Sequence, residues 1–303
     1  MKYKQNLHQH TAYCDGKDTP EQVLDTALQK GFDSVGFSGH SYMHWSPAHS
    51  MSVEGTARYR EHITRLKAEY ADQIKVFLGL EMDIFSEVDT KGYDYLIGSM
   101  HYFKLDGEYI GFDRSLAEVR SVIDRYFDGD GLKFAAKYYE TVKTLPQYGK
   151  FDIIGHFDLV AKQNDAGHFF DEDSPAYRAL ALDAIKTLAG KIPYFEVNTG
   201  CISRGYRSRP YPAPFLIEAF LQHGFGAVIT SDCHDADAIE IFKAHHAEWA
   251  DSILICCDIF CGVVPLGADM RAWREMTGRL CAYLSAEAQS VTRMFCGLPQ
   301  RLK

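Results

Sequence analysis

No run of about 18 apolar residues, the length a membrane-spanning helix needs, occurs in this 303-residue sequence. The longest apolar stretch, Ile253 to Leu266, is shorter and carries Asp258. The N-terminal segment MKYKQNLHQH lacks the apolar core of a secretory leader and already reaches a histidine pair at His8 and His10. No CxxC pair exists among the eight cysteines, and Cys256, Cys257, Cys261, Cys281 and Cys296 crowd the end of the chain. That pattern is neither a zinc ribbon nor a good disulfide framework, and it predicts a reducing, cytoplasmic setting. Positive charge is also in deficit: a net charge of -9 speaks against a broad basic surface for nucleic acid. Neither a membrane nor a nucleic-acid partner is expected, and the oligomeric state is open. A small anionic substrate stays compatible, because a metal cluster or a few arginines can make one pocket positive in an acidic protein.

What the chain does have is an alternation of strand and helix signals. Thr19-Pro20-Glu21-Gln22 reads as an N-cap, a proline in the first turn and a capping-box glutamine, with Gly31 as the stop. Strands are predicted at Gln5 to His8, Ser34 to Phe37, Lys75 to Leu80, Tyr95 to Met100, Phe151 to Ile154, Tyr194 to Val197 and Ala227 to Thr230. Helical segments separate most of them, at about Val53 to Asp72, Ser115 to Phe127, Leu132 to Leu145, Pro175 to Ala189 and Ala213 to His223. This βα order predicts a parallel sheet, open or closed into a barrel. The strand ends decide. Each carries a polar, metal-competent residue: His8 and His10, His40, Glu81, His101, His156, Glu196, then Asp232 with His234. An open sheet gathers its site at one switch point, whereas a β/α barrel collects residues from every strand end. The expectation is therefore an α/β fold, a distorted seven-stranded (β/α)7 barrel.

Taken singly these residues say little. His8 and His10 alternate on an extended segment and so share a face, yet two surface histidines would look the same. His40, His101 and His156 each follow an apolar run with a glycine one to three residues earlier, a device for close packing near a crowded site. Glu81 and Asp232 end the runs VFLGL and AVITS, where an unpaired carboxylate is costly. Metal coordination explains the histidines and carboxylates together; isolated salt bridges would have to explain them one by one. The remaining histidines, His44, His49, His62, His168, His223, His245 and His246, read as mostly solvated, with His44 and Trp45 placed to border a pocket.

The segments NLHQHTAYCDG, GFSGHS, LGLEMD, IGSMHY, IIGHFDLV, FEVNTG and TSDCHDAD occur in order over roughly residues 4 to 237. In this they resemble the polymerase-and-histidinol-phosphatase (PHP) superfamily, and within it the histidinol-phosphate phosphatases. The resemblance implies a distorted seven-stranded barrel with a trinuclear metal centre. Carried onto this sequence, it implies one metal at His8, His10, Glu81 and Asp232, and a second at Asp15, His40 and His234. The third takes His101 and His156, with Glu81 bridging. Many superfamily members have a histidine where Asp15 stands, which puts the identity of the ions (zinc, iron or manganese) in doubt. The implied reaction is hydrolysis of L-histidinol phosphate, a step of histidine biosynthesis, by a metal-bridging hydroxide, with Asp232 or His234 handling the proton.

A second cluster is basic. The segment after the sixth strand, NTGCISRGYRSRPYP, carries Arg204, Arg207 and Arg209. A loop at a barrel mouth suits a phosphate clamp, and arginine's planar fork suits a terminal phosphate. Arg204 and Arg207 are the expected pair, with Lys162 a further contact and Arg209 peripheral. Rival readings are another PHP phosphoesterase, either a nucleotide phosphodiesterase or an exonuclease, and an amidohydrolase-type barrel cleaving C–N bonds. A metal-binding scaffold without turnover is the non-enzyme alternative. The barrel is assigned to residues 1–250. Residues 251–303 are read as a helical extension of unassigned role, with Met270, Trp273, Met276, Leu280 and Leu284 spaced for one apolar face over Ala268 to Thr292.

Overall fold

Seven parallel strands build the structure, a computed structural model that describes residues 4–239, 292–295 and 298–301. In chain order the strands are β1 Gln5–Asn6, β2 Ser34–Phe37, β3 Lys75–Asp83, β4 Tyr95–Ser99, β5 Tyr102–Leu105, β6 Glu108–Gly111, β7 Ile153–Ile154, β8 Tyr194–Asn198 and β9 Gly226–Thr230. The main sheet runs β1-β2-β3-β4-β7-β8-β9, with every neighbouring pair parallel. Its two ends meet where Gln9 bridges Cys233 and the His10 amide donates to the Cys233 carbonyl at 2.9 Å. The result is a nearly closed seven-stranded barrel, as the strand-end pattern predicts.

Helices cover its outside: α1 Pro20–Gln29, α2 Val53–Glu69, α3 Leu116–Tyr126, α4 Gly131–Val142, the short α5 Asn164–Gly167, α6 Pro175–Leu188, the short α7 Gly200–Ser203 and α8 Pro214–Gln222. Thr19 and Gln22 close the expected capping box on α1, and Ser115 with Glu118 closes another on α3. Tyr59, Ile63 and Leu66 of α2 recur at helical spacing and are buried against the barrel.

Strand alternation sorts the side chains. On β3, Leu78, Leu80 and Met82 join the core under the helices, while Phe77, Gly79 and Glu81 face the barrel interior. Tyr95 fills that interior with Ile97 and Ile153, and its hydroxyl donates to the carbonyls of Leu7 and Phe37. The ring fits because Gly79 has no side chain: a Cβ there would stand 2.2 Å from the Tyr95 ring. Above this apolar plug the interior turns polar.

β5 and β6 form an antiparallel hairpin that the sequence reading did not include. Its turn is Asp106-Gly107, both at positive φ (50° and 84°), the pair a two-residue hairpin favours. Glu81, expected at the end of its strand, lies inside it, because pairing with β4 carries β3 on to Asp83.

The chain divides into two compact units, Met1–Ala244 and His245–Lys303. In the second, β10 Thr292–Phe295 pairs antiparallel with β11 Leu298–Arg301, so the described part of this extension is a hairpin instead of a helix. Most of the predicted helix over Ala268 to Thr292 lies outside the described residues; its last residue, Thr292, begins β10.

Candidate metal centre

The nine residues predicted as ligands converge on the rim where the parallel strands end. His8 and His10 follow β1, Asp15 lies in the next loop, His40 follows β2, and Glu81 projects from β3. His101, His156 and the pair Asp232 and His234 follow β4, β7 and β9. Two of the three glycines before histidines are tightly packed: a Cβ at Gly155 would stand 2.3 Å from Ser99 Oγ, and one at Gly98 2.7 Å from the Phe151 ring. Gly39 is roomier, 3.2 Å from Cys14 Sγ.

Donor spacing tests whether these residues fit metal ions. Two ligand atoms about 2.0–2.1 Å from one tetrahedral ion stand roughly 3.3 Å apart. His8 Nε2 lies 3.3 Å from Glu81 Oε2 and 3.6 Å from Asp232 Oδ1; His10 Nε2 lies 3.5 Å and 3.1 Å from the same two atoms. Asp15 spans a second set, 3.6 Å from His40 Nε2 through one oxygen and 3.6 Å from His234 Nε2 through the other. The other face of His10 joins this set, Nδ1 being 3.6 Å from Asp15 Oδ1. Glu81 Oε1 lies 2.9 Å from His156 Nε2 and 3.5 Å from His101 Nε2, and those two nitrogens are 3.2 Å apart. His8 Nε2, His10 Nε2, Asp15 Oδ1 and Glu81 Oε2 are buried without a hydrogen-bond partner among the described residues. Native proteins rarely leave such atoms orphaned. The residues fit divalent cations.

Electrostatics agree. Burial opposes ionisation of Glu81, yet His40, His8 and His101 around it hold its carboxyl well below the usual range. Asp232 is likewise held down against burial, by Arg204 and His8 first. Burial lowers the His8 pKa, but Glu196, Glu81 and Asp232 outweigh it and leave the imidazole raised. For His10 burial wins, aided by His234 and His40, and its pKa falls to about 3. Crowded ionised carboxylates beside imidazoles with free nitrogens are stabilised by central positive charge.

Behind the donors stands a second layer, in which Glu196 was read from the sequence only as a metal-competent strand-end residue and Asp83 not at all. Glu196 is fully buried; His8 Nδ1 lies 2.7 Å from its Oε2 and the His156 amide donates to its Oε1. Asp83 Oδ2 accepts from the His101 amide at 2.9 Å and lies 3.3 Å from His101 Nδ1. Asn198 donates to Glu196 at 2.9 Å and to Asp232 at 3.3 Å. The available signal was an acidic residue inside an apolar strand, EVN in β8 and EMD in β3.

The basic residues separate. Arg204 reaches the centre, Nη2 standing 3.0 Å from Asp232 Oδ2 and Nη1 donating to the Asp232 carbonyl at 2.6 Å. Arg207 has no exposed side-chain surface; its Nη2 is bound to both oxygens of Glu172 and lies 3.5 Å from Asp165 Oδ1, while Nη1 stands 4.0 Å from Asp158 Oδ2. Arg209 is partly exposed and shares Glu172 at 3.0 Å. Lys162 pairs closely with Asp113 and lies under the Tyr206 ring. Asp113 is held down to about 2: burial opposes this, but Lys162 and His101 win. Trp45 stacks on Tyr109 of the hairpin with centroids 3.8 Å apart, and His44 meets both rings edge-on. His62, read as solvated, instead bridges Tyr13 Oη at 2.9 Å and Glu21 Oε1 at 2.7 Å.

A parallel β/α barrel bearing a His, Asp and Glu donor cluster on its C-terminal rim defines a metal-dependent barrel enzyme. The PHP domain model matches residues 6–200, and the chain belongs to that family. A Deinococcus radiodurans protein named "Probable histidinol-phosphatase" is 31% identical over 241 residues, 75% of this chain and 85% of the relative. The Bacillus subtilis histidinol-phosphatase is 26% identical over 77% of this chain and 94% of its own length. A solved structure from Lactococcus lactis, a histidinol phosphate phosphatase complexed with zinc, L-histidinol and phosphate, matches the fold with a TM-score of 0.60. It is 19% identical and covers 81% of this chain and 91% of that one.

Proposed function

We propose that this protein is a metal-dependent phosphomonoesterase whose substrate is L-histidinol phosphate, working with three divalent ions. The observation that carries the reading is the donor cluster with Arg204 at its edge, set on a chain whose relatives are named for that activity. The first position would be held by His8, His10, Glu81 and Asp232. Asp15, His40 and His234 would hold the second, and His101, His156 and Glu81 the third. Zinc, iron and manganese all suit these donors. Such ions, when bound, supply an activated water and neutralise the phosphoryl oxygens.

The residues do the rest. Arg204 and Lys162 bring positive charge to the phosphate, while Arg207 is engaged inside the protein by Glu172 and Asp158. Arg204 also keeps Asp232 ionised, and Asp232 and His234 both remain candidates to handle the proton. His234 turns Nε2 toward Asp15, as Asp232 turns Oδ1 toward His8 and His10. The test is a parallel assay of histidinol phosphate, a dinucleotide and a cyclic nucleotide with the metal-loaded protein. Preferential release of phosphate from histidinol phosphate is expected; faster cleavage of either diester would overturn the reading.

A further inference from the structure

We propose that Glu196 is a positioning residue of this centre: it presents His8 Nε2 to the first metal position and sets the affinity of that position. The inference rests on reading His8, His10, Glu81 and Asp232 as a metal site.

Glu196 lies on the interior face of β8, one layer below the rim, with no exposed surface. Both oxygens are fully used. Oε2 meets His8 Nδ1 at 2.7 Å and accepts from Thr230 Oγ1 at 2.8 Å; Oε1 accepts from the His156 amide at 2.5 Å and Asn198 Nδ2 at 2.9 Å. A carboxylate can only accept here, so the hydrogen of a neutral His8 must sit on Nδ1. Nε2 then carries the lone pair, and it is this atom that is buried without a partner among Glu81 and Asp232. A carboxylate behind a ligating imidazole fixes its tautomer and raises its basicity, and losing such a partner typically costs about 10–100-fold in metal affinity. Asp83 stands in the same relation to His101 on another strand, which supplies an internal comparison. The competing account makes Glu196 a staple joining β7, β8 and β9 with no effect on metal.

The two accounts part in a zinc titration against a chromophoric chelator, with 15N spectra of the histidine rings recorded in parallel. Glu196→Gln keeps the size and removes the charge. It is expected to weaken the tightest affected position about 10–100-fold and to shift the His8 ring signals. Thr230→Val deletes one bond to Oε2 and should weaken zinc about fivefold, giving a result should Glu196→Gln not fold. Asp83→Asn should move the His101 signals and leave those of His8 in place. Wild-type affinity and unchanged His8 signals in the folded Glu196 or Thr230 variant would overturn the proposal. So would equal disturbance of every histidine by the Glu196 and Asp83 variants. A wild-type protein that takes up no zinc, iron or manganese would instead overturn the metal reading beneath it.

Discussion

Replacing Arg204 by methionine keeps the length of the side chain and removes the guanidinium. In the structure that group makes two contacts to Asp232, one to the carboxylate at 3.0 Å and one to the carbonyl at 2.6 Å. Asp232 has φ +48°, left-handed for a residue with a side chain, a conformation that costs on the order of 1–3 kcal/mol and must be held by its surroundings. Without Arg204, Asp232 Oδ2 keeps, among the described residues, only Asn198 Nδ2 at 3.3 Å. A hydrogen bond to a charged group is worth about 1.5–3 kcal/mol. Because the Arg204 side chain is 31% exposed, solvent screening favours the lower end. Positioning of Asp232 alone then predicts a loss of about 1.5 kcal/mol, roughly tenfold in kcat with KM little changed. Direct contact with phosphate adds a second bond of that size, giving about 3 kcal/mol, or on the order of 100-fold in kcat/KM, with KM raised. Metal content should change little, since the Asp232 oxygen that faces His8 and His10 is Oδ1, not the Oδ2 that Arg204 holds. The assay is steady-state hydrolysis of histidinol phosphate with metal content measured on the same samples. Activity within about twofold of wild type, or metal lost in step with activity, would refute the reasoning.

Other expectations follow from the same geometry. Gly155→Ala places a Cβ 2.3 Å from Ser99 Oγ and 2.9 Å from Ile97 Cγ2, and should lower stability by about 1–3 kcal/mol in urea denaturation; an unchanged midpoint would show that the rim is looser than drawn. Lys162→Met removes the partner of Asp113 and is expected to raise KM for the phosphate ester more than it lowers kcat; equal KM values would remove Lys162 from the substrate site. Burial lowers the pKa of His8 and of His40, but the surrounding carboxylates outweigh it and both are raised in the metal-free protein. Protons held there must leave when metal arrives, so affinity should climb as pH rises through neutrality. Calorimetry in buffers of different ionisation enthalpy should register proton release, and uptake without release would contradict the raised values.

How far the sequence could be read depended on whether a residue's role was set along the strand or across it. His8, His10, His40, His101, His156 and Asp232 were legible because strand alternation and a shared polarity put every C-terminal end on one rim. Glu81 was found for the same reason, although β3 runs three residues further than its apolar pattern. The Asp106-Gly107 turn carried its own signal, but the hairpin follows His101 so closely that the segment read as connection. Glu196 and Asp83 differ in kind. Each lies in the C-terminal part of a strand like Glu81, and only the closed barrel decides which carboxylate meets His8 Nδ1 or His101 Nδ1 and which meets His8 Nε2. Arg204 and Arg207 show the same limit: three residues apart in one loop, the first turns to Asp232 and the second is buried on Glu172, a residue of the segment leading into α6. Residue types and their order can therefore announce a metal centre, whereas the outer carboxylates that tune it depend on pairings between strands far apart in the chain.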